Sequence, residues 1–211
     1  MVEVDGVPLA ERALEKLRAA GVTEVVAVTG YRPEALRELG DLVTDERPND
    51  RPDAENVYSL WCARDVVARG CYIVNSDVLF EEEVARRLLA AKGSAILCAR
   101  DHGVDAESMK AVFRAGRLER LSKDVPTSSH PEYVGLTRID PAHGEMLAAV
   151  LERFVAEGNT SVYYESAIED LARDVTVAEI AVDGLRWVEV DDHDDLARAR
   201  ELLRPPAETR G

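Results

Sequence analysis

Tyr72-Ile-Val-Asn-Ser-Asp-Val-Leu-Phe80 is an apolar run broken by the polar residues Asn75, Ser76 and Asp77. It is too short for a helix, rich in Ile and Val, and followed by a helical pattern over residues 81–91. A β-branched run that feeds a helix reads as a central strand of an α/β sheet. Ligands collect at the carboxyl ends of strands in such sheets, so Asp77 stands where a metal or a phosphate would be handled. Ser76 or Asp77 could equally shape the turn into the next helix with a side-chain acceptor. This stretch alone leaves the two readings level.

Outward from it, strands and helices alternate. Ahead of it, residues 57–67 carry a helical pattern with Asn56 placed to cap it, and residues 45–55 form a loop rich in Pro and Asp. Thr23-Glu-Val-Val-Ala-Val-Thr29 is a β-branched strand, followed by a turn at residues 30–33, a short helix over 34–39 and a short strand over 41–44. The chain opens with an extended piece over 3–10 and a helix to about residue 20. Leu9, Ala13, Leu14, Leu17 and Ala20 recur there at the helical period, and Gly21 closes the helix.

Beyond the opening stretch, residues 94–100 are a further strand and 101–107 a polar loop. The alternation then changes, because residues 109–113 and 118–121 flank an Ala115-Gly116 turn and read as a β-hairpin, with a later strand over 134–139. A hairpin inserted after a doubly wound half would form one wall of a pocket. Asp140-Pro141 opens an amphipathic helix with Met146, Leu147, Val150, Leu151, Phe154 and Val155 as its buried face, and Gly158 ends it. A short helix over 165–172, a strand over 175–182, an extended piece over 187–190 and a helix to about residue 203 follow. One domain over 1–203 and a disordered tail over 204–211 are expected.

Hydrophobic residues make up 46% and charged residues 32% of the 211, with no apolar run long enough to span a bilayer. The first six residues lack the basic start and apolar region of a secretory signal, so a cytoplasmic protein is expected. Cys62, Cys71 and Cys98 are odd in number and widely spaced, which supports neither a disulfide framework nor a metal site and favours packing roles. A formal charge of -15 with no basic stripe argues against nucleic acid. A small anionic substrate is admissible only where a divalent cation or local Lys and Arg residues reverse the field.

Asp191, Asp192, Asp194 and Asp195 crowd one helix start. Capping explains one or two of them, since acids there accept from free N–H groups and complement the dipole. Asp191 also ends a β-like run, as Asp77 does, and two such carboxylates can hold one Mg²⁺ while leaving coordination positions for phosphate oxygens.

Together these residues carry a family resemblance. The opening residues 2–14 and the segment 20–31 resemble the early part of the sugar-phosphate and phosphocholine-type nucleotidyltransferases. Asn56-Val-Tyr-Ser-Leu60, Ser122-Lys123, Glu132-Tyr-Val-Gly135, Tyr163-Tyr-Glu165 and Glu189-Val-Asp191 resemble the cytidylyltransferase branch, which acts on phosphocholine, related phosphonates or inositol phosphate. The resemblance implies an α/β, Rossmann-like (GT-A-type) mixed sheet flanked by helices, with the inserted hairpin on the acceptor side. It implies Mg²⁺ held by Asp77 and Asp191, and transfer of CMP from CTP to a small phosphate or phosphonate with release of pyrophosphate. Lys123 would steady the acceptor's phosphate, although it also reads as a solvated hairpin lysine. Asn56, Ser59 and Asp77 would lie near the nucleotide, with helix capping open for Asn56. Glu132, Tyr163, Tyr164 and Glu165 would meet the acceptor, where rings and a carboxylate suit a cationic amine. A strand edge and a helix start account for the Tyr-Tyr-Glu step nearly as well. A sugar-1-phosphate nucleotidyltransferase is the alternative enzyme; nucleic acid and membrane are not expected as partners, and a homodimer stays open.

The family also begins with a strand and a Gly-rich loop bearing a basic residue and Pro-Lys, which cradle the triphosphate, and no residue of the 211 replaces that loop. The chain as written is therefore expected to keep some fold but turn over poorly, and a catalytically impaired binding module is the reading from a different class. A third reading takes Met1 as an internal methionine of a longer open reading frame, and translating upstream in frame to look for the loop tests it.

Overall fold

The computed structural model describes residues 2–30, 32–101, 103–126 and 130–204. An Asp5-Gly6 turn, both residues at positive φ, folds β1 (Glu3–Val4) back on β2 (Val7–Pro8). Pro8 then caps α1 (Leu9–Ala19), whose Leu9, Ala13 and Leu17 are buried. β3 (Val26–Thr29) and a 3₁₀ segment (Pro33–Leu42) follow, and β4 (Asp45–Pro48) pairs parallel with β3. The strand expected over 41–44 thus lies four residues later, inside the segment read as loop. Its Asp-Glu-Arg-Pro sequence is charged because only its pairing, not a buried face, holds it in place.

The helix expected over 57–67 breaks at Ala63 into α2 (Asn56–Cys62) and α3 (Arg64–Val67). The deciding stretch also divides: β5 (Cys71–Val74) ends at Asn75, and β6 (Val78–Phe80) starts a second ladder after the polar step. α4 (Glu82–Ala90), β7 (Ser94–Ala99), the hairpin of β8 (Lys110–Arg114) and β9 (Arg117–Ser122), and β10 (Glu132–Ile139) come next. α5 (Pro141–Ala156), α6 (Glu165–Leu171), β11 (Val177–Ala181), β12 (Trp187–Glu189) and α7 (His193–Leu203) complete the chain. Of the expected tail, residues 205–211 lie outside the described residues.

The main sheet runs β11-β7-β10-β8-β9, with β5 paired to the far half of β10. β11 and β7 are parallel and the other pairings antiparallel, so the sheet is mixed, as the α/β expectation required. β7 alternates between two cores: Ile96 and Cys98 face the cluster with Leu147, Leu151 and Ile168, while Leu97 and Ala99 face the one with Val84 and Leu88. Helices thus cover both faces. Met146 departs from the expected buried face of α5 at 38% exposure. A third, smaller cluster of Val4, Leu9, Leu79, Val188, Val190 and Ala199 fastens β6 and β12 to β1 and α7. No helix among the described residues is long and apolar enough to cross a membrane.

One lysine is inside. Lys110 is fully buried and donates from Nζ to the carbonyls of Asp105 at 3.0 Å and Ala106 at 3.3 Å, which pins the loop ahead of the hairpin.

Gly144 shows packing overriding propensity. Glycine inside a helix is ordinarily about 1 kcal/mol worse than alanine. Here a Cβ would stand 2.5 Å from the carbonyl oxygens of Val67 and Ala68, so α5 can rest on the end of α3 only without a side chain. Gly144→Ala is expected to destabilise by about 1–3 kcal/mol, read from urea midpoints; a neutral or stabilising result would show that the two helices separate freely.

Candidate active site

β6 and β12 pair in the register Trp187↔Phe80, Val188↔Leu79 and Glu189↔Val78. One step beyond, the Val190 N–H donates to the Asp77 carbonyl at 3.0 Å and carries the pairing past the strand end. Asp77, Glu189 and Asp191 consequently offer carboxylate oxygens that all lie within 4.8 Å of one another. Glu189 was not singled out in the sequence. Its signal was the period-two spacing to Asp191, which puts alternate residues of a strand on one face.

Burial pushes the Asp77 carboxyl above its ordinary range, with Asp191 adding to the effect, and Asp77 Oδ1 is buried without a hydrogen-bond partner. Burial pushes Glu189 up to about 7, and Asp77, Asp191, Glu132 and Glu165 reinforce the rise in that order. Such mutual repulsion is relieved by protonation or by a cation. The donor set, all carboxylate oxygen, partly solvated and with an orphaned acceptor, fits a hard divalent cation.

The other acids of the cluster do what capping predicts. Asp192 Oδ1 accepts from the Asp194 and Asp195 N–H groups at 2.8 and 2.9 Å, and Asp195 Oδ2 accepts from the Asp191 and Asp192 N–H groups at 3.0 and 3.1 Å. This capping box, with an Arg198–Asp195 ion pair, starts α7 and leaves the exposed Asp191 side chain to Asp77 and Glu189.

A second group of residues lies beside the acids. Lys123, just past β9, places Nζ 5.4 Å from the centre of the Tyr163 ring and 3.5 Å from Glu107. Tyr163 is 41% exposed. Glu165, at the start of α6, is buried, and its carboxyl is pushed up to about 7 by that burial, with its own backbone N–H, the Tyr164 side chain and Lys123 pulling it down and Asp77 pushing it up. Glu165 Oε2 has no hydrogen-bond partner.

Tyr164 corrects the expectation that both tyrosines face an acceptor. It is buried at 3% exposure, and its hydroxyl donates to Asn75 Oδ1 at 2.8 Å. Tyr133 Oη lies 2.8 Å from Tyr164 Oη and 2.7 Å from Thr137 Oγ1, so the proton order runs from Thr137 through both phenols to Asn75. Burial pushes both phenols far above their ordinary range, which keeps them as neutral donors. Asn75 in turn donates its N–H to the Gly135 carbonyl at 3.0 Å, two residues ahead of Asp77. Gly135 is at φ +79°, and a Cβ there would meet Val78 at 3.0 Å and Asn75 at 3.1 Å. β10 therefore bulges tightly against the turn that carries Asp77.

Of the remaining residues, Asn56 is not the cap of α2, a position held by Glu55. Its Oδ1 accepts from the Tyr164 N–H at 2.7 Å and so ties α2 to α6. Ser59 Oγ accepts from the buried Asn49 side chain at 3.0 Å. Glu132 opens β10 and adds to the field at Glu189.

The chain is 28% identical to a CMP-5'-(3-aminopropyl)phosphonate synthase of Streptomyces rubellomurinus over 99% of its length, and 23% identical to a bifunctional IPC transferase and DIPP synthase of Aquifex aeolicus over 96%. It spans only 36% and 46% of those two relatives. Among solved structures it resembles the CTP:phosphocholine cytidylyltransferase of Streptococcus pneumoniae, with a TM-score of 0.78 at 18% identity over 96% of this chain and 88% of that one. The inositol-1-phosphate CTP transferase of T. maritima superposes with a TM-score of 0.72 at 15% identity, covering 97% and 88%. These likenesses carry the fold. A family model, the MobA-like NTP transferase domain, matches residues 1–167, and the chain belongs to that family.

Proposed function

We propose that this chain carries Mg²⁺-dependent transfer of CMP from CTP to a small phosphate or phosphonate acceptor, with release of pyrophosphate. The observation that carries the reading is the meeting of Asp77, Glu189 and Asp191 beside the Lys123, Tyr163 and Glu165 group. The names of the relatives support the nucleotide and the acceptor class, since they include a phosphonate CMP synthase and choline-phosphate cytidylyltransferases.

Asp77 and Asp191, with Glu189 behind them, would hold the Mg²⁺. When bound, the ion supplies positive charge to the nucleotide phosphates. An acceptor phosphate or phosphonate oxygen attacks the α-phosphorus, a P–O bond forms, and the bond to the departing pyrophosphate breaks. The nucleophile is already anionic, so the reaction asks for charge neutralisation and in-line placement rather than for a strong base. Lys123 orients the acceptor's phosphate, and Glu165 with Tyr163 lies where its organic end would sit. Asn56 and Ser59 serve the nucleotide side through α2.

Two measurements test this. Pyrophosphate release with CTP, Mg²⁺ and an amine-bearing phosphonate is expected to fall by about a hundredfold or more in Asp77→Asn and Asp191→Asn. Unchanged rates in both would remove these carboxylates from the chemistry, and preference for a hexose 1-phosphate would select the sugar-nucleotide alternative.

The second is a linkage test. Asp77 and Glu189 have folded pKa values above their unfolded ones, so the folded chain holds protons that the unfolded chain has released. The Glu189 contribution to stability therefore falls as pH rises from about 4.5 through about 7, and that of Asp77 falls in the same direction. Mg²⁺ offsets that loss only where the cluster is ionised. The Mg²⁺-induced rise in Tm should be larger near about pH 8 than near about pH 5.5, and should shrink in Asp191→Asn. Equal shifts at both pH values would place the ion elsewhere.

A further inference from the structure

Resting on the transfer reading above, we infer that Asn75 is a substrate-binding residue: its side-chain amide, aimed by Tyr164, donates N–H from Nδ2 to an oxygen of the phosphoryl group that is transferred.

Asn75 follows β5 directly and stands two residues ahead of Asp77. Asn75 and Asp77 are half-buried while Ser76 between them is exposed, as alternation along an extended chain requires of two side chains on one face. The Tyr164 phenol, pushed up chiefly by burial, also feels Tyr133, Glu165 and Asp77, so the amide bonded to that phenol lies beside the acids. Asn75 therefore bridges the turn that carries Asp77 and the residue that precedes Glu165. A phosphoryl group passing from nucleotide to acceptor crosses between those two places.

The amide is held at one end and open at the other. Its Oδ1 accepts from the Tyr164 hydroxyl at 2.8 Å, and its backbone N–H donates to the Gly135 carbonyl at 3.0 Å, so neither the side chain nor the main chain is free to turn. Nδ2 bonds no described residue and is not among the buried orphaned atoms. A Cβ on Gly135 would stand 3.1 Å from Nδ2, so the glycine leaves the donor end uncovered. The direction of the amide follows from its surroundings. Asp77, Glu189, Asp191 and Glu165 already crowd this corner with acceptors. A carbonyl turned outward would add one more lone pair, whereas an NH₂ group supplies two donors. An anionic phosphoryl oxygen entering among carboxylates needs such a donor besides the cation, because charge that develops in the reaction is stabilised by groups already in place.

Two variants of the full chain test this. Asn75→Asp keeps the shape of the residue and the oxygen that accepts from Tyr164, but replaces the donor by an acceptor. Asn75→Ala removes both ends. Were Asn75 needed only to receive the Tyr164 hydroxyl, the aspartate variant would behave like the unaltered chain and the alanine variant would be the poorer. A donor to phosphate reverses that order. Asn75→Asp should bind CTP in Mg²⁺ roughly tenfold or more weakly by calorimetry, the size of one charged hydrogen bond, and more weakly than Asn75→Ala. Pyrophosphate release should fall by about a hundredfold. Mn²⁺ without nucleotide, read by electron paramagnetic resonance, should bind Asn75→Asp at least as tightly as the unaltered chain, which shows the carboxylate corner to be intact. Unchanged CTP affinity in Asn75→Asp overturns the inference, as does a loss of Mn²⁺ affinity in step with it. If the unaltered chain binds CTP and the variants follow this pattern but no acceptor is modified, the transfer reading fails and this donor stands. If the unaltered chain binds no CTP, both fail.

Discussion

The antiparallel pairing of β6 with β12 is the constraint on which the rest depends. It brings Asp77, Glu189 and Asp191 to within 4.8 Å of one another, an arrangement that folding would not choose for its own sake. Like charges at that distance repel one another and oppose the packing that assembles them. What holds them is apolar: Leu79, Val188 and Val190 belong to one small core with Val4, Leu9 and Ala199. The hydrophobic contacts of the strand pair thus carry the electrostatic strain of the acids at its end.

A second layer of order comes from polar groups inside the protein. Thr137, Tyr133, Tyr164 and Asn75 form a buried hydrogen-bond chain across β10, α6 and the turn after β5. Each member would be costly to leave unpaired, so the chain specifies one relative placement of these elements. Tyr163 and Glu165 flank Tyr164, and Asp77 lies two residues past Asn75. The two halves of the site are therefore registered to one another through the core and not through the solvent-facing loops.

Much of this was legible in the sequence because the signals were strong and local. The run through residues 72–80 offered a carboxylate at a strand end as one of two level readings, and Asp140-Pro141, the Ala115-Gly116 turn and the acids before α7 marked their elements through cap and turn chemistry. The failures have physical reasons. β4 is charged along its length and owes its extension to pairing with β3, so propensity could not find it. Glu189 entered only as part of the Glu189-Val-Asp191 step, and its meeting with Asp77 depends on the pairing of β12 with β6. Tyr163 and Tyr164 are the same residue type in adjacent positions, and only the tertiary fold sends one outward and the other into the core.

The free cysteines have a consequence of a different kind. Burial pushes the Cys71 thiol on β5 up to about 12, and Cys98 on β7 is shifted upward as well. Only the thiolate reacts with alkylating reagents, so both thiols react more slowly in the folded protein than in an unfolded chain. Cys98 is fully buried in the middle of the sheet, where reagent meets a reactive sulfur only after the strands have parted. The native protein thus carries its own clock: the rate at which the Cys98 thiol is trapped measures how often the central sheet opens.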